Sequence, residues 1–538
     1  MTRLQGFVAT WPVMALLVLA QPLQAVGQPR ASLDLETATV ADLDRAMDAG
    51  ALTSEQLVRL SLARIAAYEP KLDAIITLNP HALAEARALD AERRKKGPRS
   101  PLHGVPVLLK DNINTRDLPT TLGFYGLKGA VPRSDASVVA RLRDAGAIIL
   151  AKTNLSELAS GPTMSSLGGQ THNPHALDYS PAGSSGGAAA GVAAGYAPIA
   201  IATDTTGSVR WPAATNGVVG LRPTTGVINN AGVQPSAPTL DAVGPITRRV
   251  ADAALMLSLL EGIDRRSPAA RDADGRYPAD FMQGLNADAL RGVRIGFPRR
   301  DFSGDDPEVD AVMNAAVEAL KAGGATVVEV ELPAGLVRLG GELQSILVRT
   351  ESAPSLDAYL AASFPPGAPR SHAEILAMSE ALASSPPAGA MPNPGRLGGY
   401  REEAAATPPT DAYYLAARDQ GRQYVKAMMQ AVLVRNRLDA IVYPTQTTRI
   451  NKLGERPKRN ARGLFGNFGQ ILASLAGWPE LTVPGGFTPD GLPVGVSFLG
   501  PEFSEQKLLG LGFAFEQRTQ ALRQPVTTPP LAGDRFAY

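Results

Sequence analysis

The chain contains no cysteine, which excludes disulfides, thiolate nucleophiles and thiolate metal sites together. Histidine is almost as scarce, with five in 538 residues, so any chemistry that needs a rigidly held imidazole has few candidates. An excess of charge of one sign is also missing. The 52 basic and 51 acidic residues leave a net charge of +1, no field to attract nucleic acid, and none is expected as a partner. Aromatic residues make up only 5% of the chain against 44% apolar residues overall. The core is therefore expected to be Ala, Val, Leu and Ile, as in a helix-covered sheet, and the composition is too apolar for a disordered chain. One stretch approaches membrane length, FVATWPVMALLVLA at residues 7–20, but Pro12 interrupts it and it falls short of the roughly 20 residues needed to span a bilayer. Preceded by Arg3 and followed by LQA ending at Ala25, it reads as a signal peptide over residues 1–25. The expectation is a periplasmic or secreted protein with no stable membrane anchor after cleavage.

What is present points to an α/β fold: a large mixed, mostly parallel sheet covered by helices on both faces. Apolar strands are predicted at DAIITLN, VPVLL, AIILAKT and PIAIAT, alternating with helical stretches such as SDASVVARLRDAG and GGAAAGVAAG. Helices are expected from Thr39 to Gly50 and, with the capping pair Thr53 and Gln56, up to Glu69 before Pro70. One domain over residues 33–538 is expected, with an insertion rich in Pro and Ala at about 351–411, read either as a cover over the substrate or as a mobile surface segment. Sites in such sheets lie beyond strand ends, where Lys110 and Asp204 fall.

Between Asp178 and Thr225 small residues crowd around three serines in two glycine-flanked turns, Ser184, Ser185 and Ser208. Glycine beside a hydroxyl allows positive φ and close backbone approach, so N–H groups can converge on a developing negative charge. A serine nucleophile needs a base. Four histidines precede Ser184, and His372 sits in a segment dense in Ala, Pro and Ser, so a histidine base is not expected. The other common base is a lysine kept neutral by burial. Lys110 closes the apolar run of GVPVLLKDNIN and fits that description, with Lys152 as the competitor after another apolar strand.

With GVPVLLKDNIN, GSSGG, TDTTGS and VGLRPT in this order, and Ser184 and Ser208 24 residues apart, the chain resembles the amidase signature family of serine hydrolases. LDAVGPITRRVADAALML, LDAIVYPTQ and LTVPGGFTPDGLPVGVSFLG extend the resemblance over nearly all of the chain after residue 40. The resemblance implies a Ser-cisSer-Lys triad of Ser208, Ser184 and Lys110, with a cis bond between Gly183 and Ser184. It also implies an oxyanion hole from the N–H groups of Thr205, Thr206, Gly207 and Ser208, braced by an ion pair of Asp204 with Arg210, and no metal or cofactor. Two positions depart from the family wording. Thr206 stands where T-D-T-G-G-S has a glycine, and Ala182 replaces the first glycine of G-G-S-S-G-G. A β-branched Thr206 does not readily adopt positive φ, so the oxyanion turn is expected to differ in shape.

The expected activity is hydrolysis of a carboxamide through an acyl-enzyme on Ser208. SSLGGQTHNPH before the serine turn resembles bacterial peptide amidases and aryl acylamidases, implying a small-molecule or peptide amide as substrate. Three rivals differ. G-S-S-G-G also satisfies G-x-S-x-G, an α/β-hydrolase elbow with Ser185 as nucleophile, but DYSPAG before it is no strand and only His372 follows. A tRNA-dependent amidotransferase component shares the motifs but works in the cytosol with partner chains. A non-catalytic ligand-binding protein has no need of an intact Lys110, Ser184 and Ser208. Nothing in the sequence specifies an oligomeric state.

Overall fold

The computed structural model describes residues 1, 2, 5, 6, 32–161, 163–262, 275–455, 459, 460 and 463–537; most of the export segment expected at 1–25 lies outside them. Among the described residues no helix is long and apolar enough to cross a membrane. The strands are β1 (Ser32–Asp34), β2 (Ile75–Leu78), β3 (Pro106–Lys110), β4 (Ile148–Thr153), β5 (Met164–Ser165), β6 (Gly169–Gln170), β7 (Ile199–Asp204) and β8 (Val219–Arg222). They continue as β9 (Ala242–Thr247), β10 (Arg294–Phe297), β11 (Thr326–Glu329), β12 (Ala440–Pro444), β13 (Glu480–Phe487), β14 (Pro493–Leu499) and β15 (Arg535–Ala537). Eleven of them form one sheet in the order β11-β10-β12-β14-β13-β8-β9-β7-β3-β4-β2. β1 pairs with β15, tying the start of the described fold to the end of the chain.

Period-two alternation sends successive side chains to opposite faces of this sheet. Val107 and Leu109 of β3, with Ile199 and Ile201 of β7, enter one apolar layer; Leu108, Ala200 and Ala202 enter the other. The second layer is closed by the helices Ser54–Leu72, Ala82–Lys96 and Gly186–Ala193. The last of these is built from Gly, Ala and Val and is buried throughout, since small side chains let it lie close against β3 and β7.

A large mixed sheet covered by helices is what the sequence predicts, but the balance of directions is corrected. The pairings β10–β11, β10–β12, β3–β4 and β3–β7 are parallel, whereas β12–β14, β13–β14, β8–β13, β8–β9, β7–β9 and β2–β4 are antiparallel. Much of this comes from two connections, since β13 and β14 form a hairpin and β9 inserts between β7 and β8 and runs against both, and β2 adds a further antiparallel pairing with β4 at the sheet edge. The helix predicted to stop before Pro70 runs on to Leu72, with Asp73 in the left-handed region as its cap.

The segment at 351–411 is mostly helical, with short connections at 364–371, 385–393 and 405–411. It holds the end of a long helix, Leu336–Ser363, and the helices His372–Ser384 and Pro394–Ala404. Alanine is the best helix former, and most of the prolines sit between or at the first turn of these helices, where they break nothing. Leu356, Tyr359 and Leu360 pack with Ile375 and Tyr400 over Leu122, Phe124 and Leu158.

Candidate active site

Because β3 and β7 are parallel neighbours, their C-terminal ends coincide, and Lys110 ends one as Asp204 ends the other. Lys110 is fully buried. Its Nζ lies 2.6 Å from Ser184 Oγ, 2.8 Å from Thr203 Oγ1 and 3.4 Å from the Thr203 carbonyl oxygen. These are three neutral partners, and among the described residues no carboxylate is in hydrogen-bond reach. Burial therefore pushes the amine down to about 7, although the more distant Asp204 and Asp241 carboxylates pull it back up. Lys152 is equally buried but is paired with Asp111 at 3.1 Å, and it donates 2.7 Å to Thr120 Oγ1. Burial lowers it too, yet the adjacent Asp111 favours its charged form, and the pair braces the loop after β3.

Ser184 follows Gly183 through a cis peptide bond and is 4% exposed. Its carbonyl accepts the Ser156 N–H at 3.0 Å, which holds the turn from behind. The glycines after it serve close approach rather than positive φ. A Cβ on Gly187 would stand 2.5 Å from the Asn154 carbonyl oxygen and 2.6 Å from that of Ala74, both backbone atoms. Gly187→Ala is accordingly expected to destabilise the fold by about 1–3 kcal/mol, read as a lower midpoint in chemical unfolding. The residue that does adopt φ of +58° is Ala182, where the family wording has glycine.

Ser185, the elbow candidate, is completely buried and donates to the Thr203 carbonyl at 3.2 Å. No strand leads directly into it, and His372 is occupied with Glu403 at 3.0 Å within the helical insertion. The structure thus gives Ser185 no access to a substrate.

The second serine turn is anchored by Asp204. Its carboxylate accepts Gly207 N–H at 2.9 Å, Val209 N–H at 3.1 Å, and both Arg210 Nε at 2.9 Å and Arg210 Nη2 at 2.8 Å. Arg222 adds a contact of 3.1 Å, and Arg210 also meets Glu480 of β13. Burial alone would raise Asp204, but the two guanidiniums outweigh it and hold the carboxyl well below its usual range. This corrects one expected role: the Gly207 N–H is already committed to Asp204. Among the described residues the N–H groups of Thr205, Thr206 and Ser208 have no such acceptor, leaving three donors for an oxyanion. Thr206 stays out of the left-handed region, and the turn's positive φ, +125°, falls on Gly207. A side chain there would meet Gln470 Oε1 at 1.9 Å.

Ser208 is half-buried. Its hydroxyl has no hydrogen-bond partner among the described residues, so the Lys110–Ser184 link is formed and a Ser184–Ser208 link is not. A cavity of about 650 Å³ meets the site at Thr203 and Thr205 and is walled by the 225–243 stretch and by Ser355, Tyr359 and Ser363 of the helix Leu336–Ser363. Thr203, Arg222, Asp241 and Glu480 are not singled out by the sequence. Thr203 and Asp241 do stand inside the motifs TDTTGS and LDAVGP, but nothing in their spacing reveals which atoms they reach.

With this geometry in place, comparison with known proteins gives a consistent picture. The family model described as Amidase matches residues 56–509. The fold is similar to that of native peptide amidase from Stenotrophomonas maltophilia, with 39% identity and a TM-score of 0.82, covering 91% of this chain and 99% of that one. In sequence, the chain is similar to a glutamyl-tRNA(Gln) amidotransferase component of Roseiflexus castenholzii (strain DSM 13941 / HLO8), 37% identical over 488 residues, 89% of this chain and 96% of that protein. The solved structure of the glutamyl-tRNA(Gln) amidotransferase component of the same kind from Thermotoga maritima matches with a TM-score of 0.70 at 26% identity, covering 92% of this chain and 98% of that one.

Proposed function

Since the chain belongs to the amidase signature family and is an enzyme of amide C–N bonds, we propose that it hydrolyses a carboxamide through an acyl-enzyme on Ser208, with Ser184 as bridging hydroxyl and Lys110 as base. The observation that carries this reading is the buried Lys110 amine, without an anionic partner among the described residues, 2.6 Å from Ser184 Oγ. In acylation the Ser208 oxygen bonds to the amide carbon. Its proton passes to Ser184, whose own proton passes to Lys110. The N–H groups of Thr205, Thr206 and Ser208 receive the oxyanion. The C–N bond then breaks as a proton returns along the same path to the leaving nitrogen, and water, activated by the same relay, releases the acid.

A peptide amide or related small amide is the favoured substrate class, supported by the higher TM-score and identity to the peptide amidase than to the solved amidotransferase component. The amidotransferase reading has its own support in 37% identity over most of the chain. The two readings differ in what they predict: as a peptide amidase this chain is expected to release ammonia from a peptide amide without any partner chain. Export, proposed from residues 1–25, is tested by fractionating cells that make the full chain and sequencing the N-terminus of the recovered protein.

The relay is tested by comparing an ester with an amide of the same acyl group. An amine anion is a very poor leaving group, whereas a p-nitrophenolate leaves without protonation. Ser184→Ala is therefore expected to lose at least about tenfold more in kcat/KM on the amide than on the p-nitrophenyl ester, roughly 1.4 kcal/mol of transition-state stabilisation. Equal losses would mean that Ser184 does not protonate the leaving nitrogen.

A further inference from the structure

The cavity beside Thr203 and Thr205 has an uneven chemistry. Ile228, Val233 and Val243 give it apolar wall, while none of its lining residues is Lys, Arg or His. Its one carboxylate belongs to Asp241, which is half-buried and faces the cavity. Asp241 is fixed by Thr205 Oγ1 at 2.6 Å and by the N–H groups of Ser236 at 2.9 Å and Ala237 at 3.0 Å.

Two further lining residues carry buried side-chain oxygens that have no partner among the described residues, Gln234 Oε1 and Asn230 Oδ1. Gln234 is only 5% exposed. The amide orientations are set by the nitrogens: Gln234 Nε2 donates to the Pro235 carbonyl, and Asn230 Nδ2 donates to the Asp241 carbonyl at 3.0 Å. Both oxygens are thus left as unused acceptors. A buried acceptor without a donor is costly, so two of them set just behind the wall beside a carboxylate favour a group rich in N–H donors that a small side-chain rotation would let them meet. Thr205 joins the acid to the chemistry. Its hydroxyl binds Asp241, and its N–H is one of the three free donors of the oxyanion turn. The donor group of the ligand must then lie near the scissile carbonyl.

We propose that this cavity receives the acyl part of an amino amide, with an ammonium group close to the carbonyl held by Asp241 and by the Gln234 and Asn230 oxygens. The inference rests on the amidase reading for the identity of the scissile group, but the recognition of the cation is separable from it. Burial pushes Asp241 up to about 7, with Glu351 as a lesser cause, and an ammonium seated against it favours its ionised form. A carboxylate ligand meets the opposite situation, since no basic side chain lines the wall and Glu351 lies behind it, bound to the Thr239 N–H at 2.9 Å.

The test uses three probes of one skeleton: 3-amino-4-phenylbutanamide, the same amide with hydrogen in place of the amino group, and the same amide with a carboxylate there. Binding is measured by calorimetry on the full chain carrying Ser208→Ala, so that turnover does not intervene, and ammonia release is followed separately on the wild type. The ammonium probe is expected to bind about tenfold or more tighter than the hydrogen analogue, with the carboxylate weakest. Asp241→Asn should remove most of that advantage, and Gln234→Met, which takes away one acceptor at nearly equal volume, should lower it by about threefold. Equal binding of the first two probes, a preference for the carboxylate, or an advantage that survives both variants would overturn the proposal. Should Asp241→Asn not fold, the order of the probes and the Gln234→Met result decide. The amidase reading fails independently, by absence of ammonia release while the binding order holds.

Discussion

Ser208→Ala is expected to lower kcat/KM for a primary amide by on the order of 10⁵-fold, because removing a covalent nucleophile leaves only binding and oxyanion stabilisation. The fold should not notice. Ser208 is half-buried and its hydroxyl bonds to nothing among the described residues, so the substitution takes away no internal hydrogen bond. Unfolding stability should therefore stay within about 0.5 kcal/mol of wild type. The two readouts together separate a nucleophile from a structural serine, since a structural serine would lose stability as well as rate. Covalent labelling gives a second measure. A fluorophosphonate should modify the wild-type peptide that contains Ser208 and leave Ser208→Ala unlabelled. Recovery of the label on Ser185 would revive the elbow mechanism, although Ser185 is completely buried and its hydroxyl is bonded to the Thr203 carbonyl.

That these serines are visible in the sequence, and other parts of the site are not, has a physical explanation. Lys110 follows an apolar run, and an apolar run ending in a charge has few meanings, so the strand and its terminal base can be read together. The small residues around Ser184 and Ser208 mark close packing, although their reason differs from the one expected: Gly187 makes room for the carbonyls of Asn154 and Ala74, and positive φ falls on Ala182 and Gly207. Strand direction is the weaker inference. Whether two strands run parallel depends on what connects them, and β9 enters between β7 and β8 only after the long excursion from Pro223 to Asp241.

The helices at 351–411 escape a reading that weighs proline above alanine, because the prolines mostly mark the helix boundaries. Thr203 and Asp241 escape for another reason. Each acts through a side-chain contact set by a neighbouring strand or turn, Thr203 with Lys110 at 2.8 Å and Asp241 with Thr205 at 2.6 Å. Such contacts leave no periodicity to read. Arg222 and Glu480 likewise reach the Asp204 cluster only because β8 and β13 are paired in the sheet.

Lys110→Arg should be as inactive as Lys110→Ala, each losing about 10³-fold or more in kcat/KM, although arginine preserves the positive charge. Which protonation state of the side chain does the work decides the outcome. A lysine acting as a cation would be replaced in part by arginine, whereas a lysine acting as a base would not, because a guanidinium stays protonated throughout the accessible range. Burial has lowered the Lys110 amine to about 7, so at neutral pH a substantial fraction is neutral and able to accept the proton from Ser184. The wild-type rate should then rise from acid pH through about 7 and level off above it, and that limb should vanish from the residual activity of both variants. The same depression sets the sign of a stability effect. In the unfolded chain the amine binds its proton up to an ordinary lysine value near 10.4, so between about 7 and that value the unfolded state holds more protons than the folded one. Folding stability contributed by this group must therefore rise with pH across that window and be least favourable below about 7. Lys110→Met, close in volume and without charge, is expected to be more stable than wild type at pH 6, with the gain shrinking as pH rises toward 10. Thermal unfolding at pH 6 and at pH 9 checks it. A Lys110→Met protein that gains nothing at pH 6, or a Lys110→Arg enzyme that keeps the rate and its acid limb, would show that the lysine is held charged and that the base lies elsewhere.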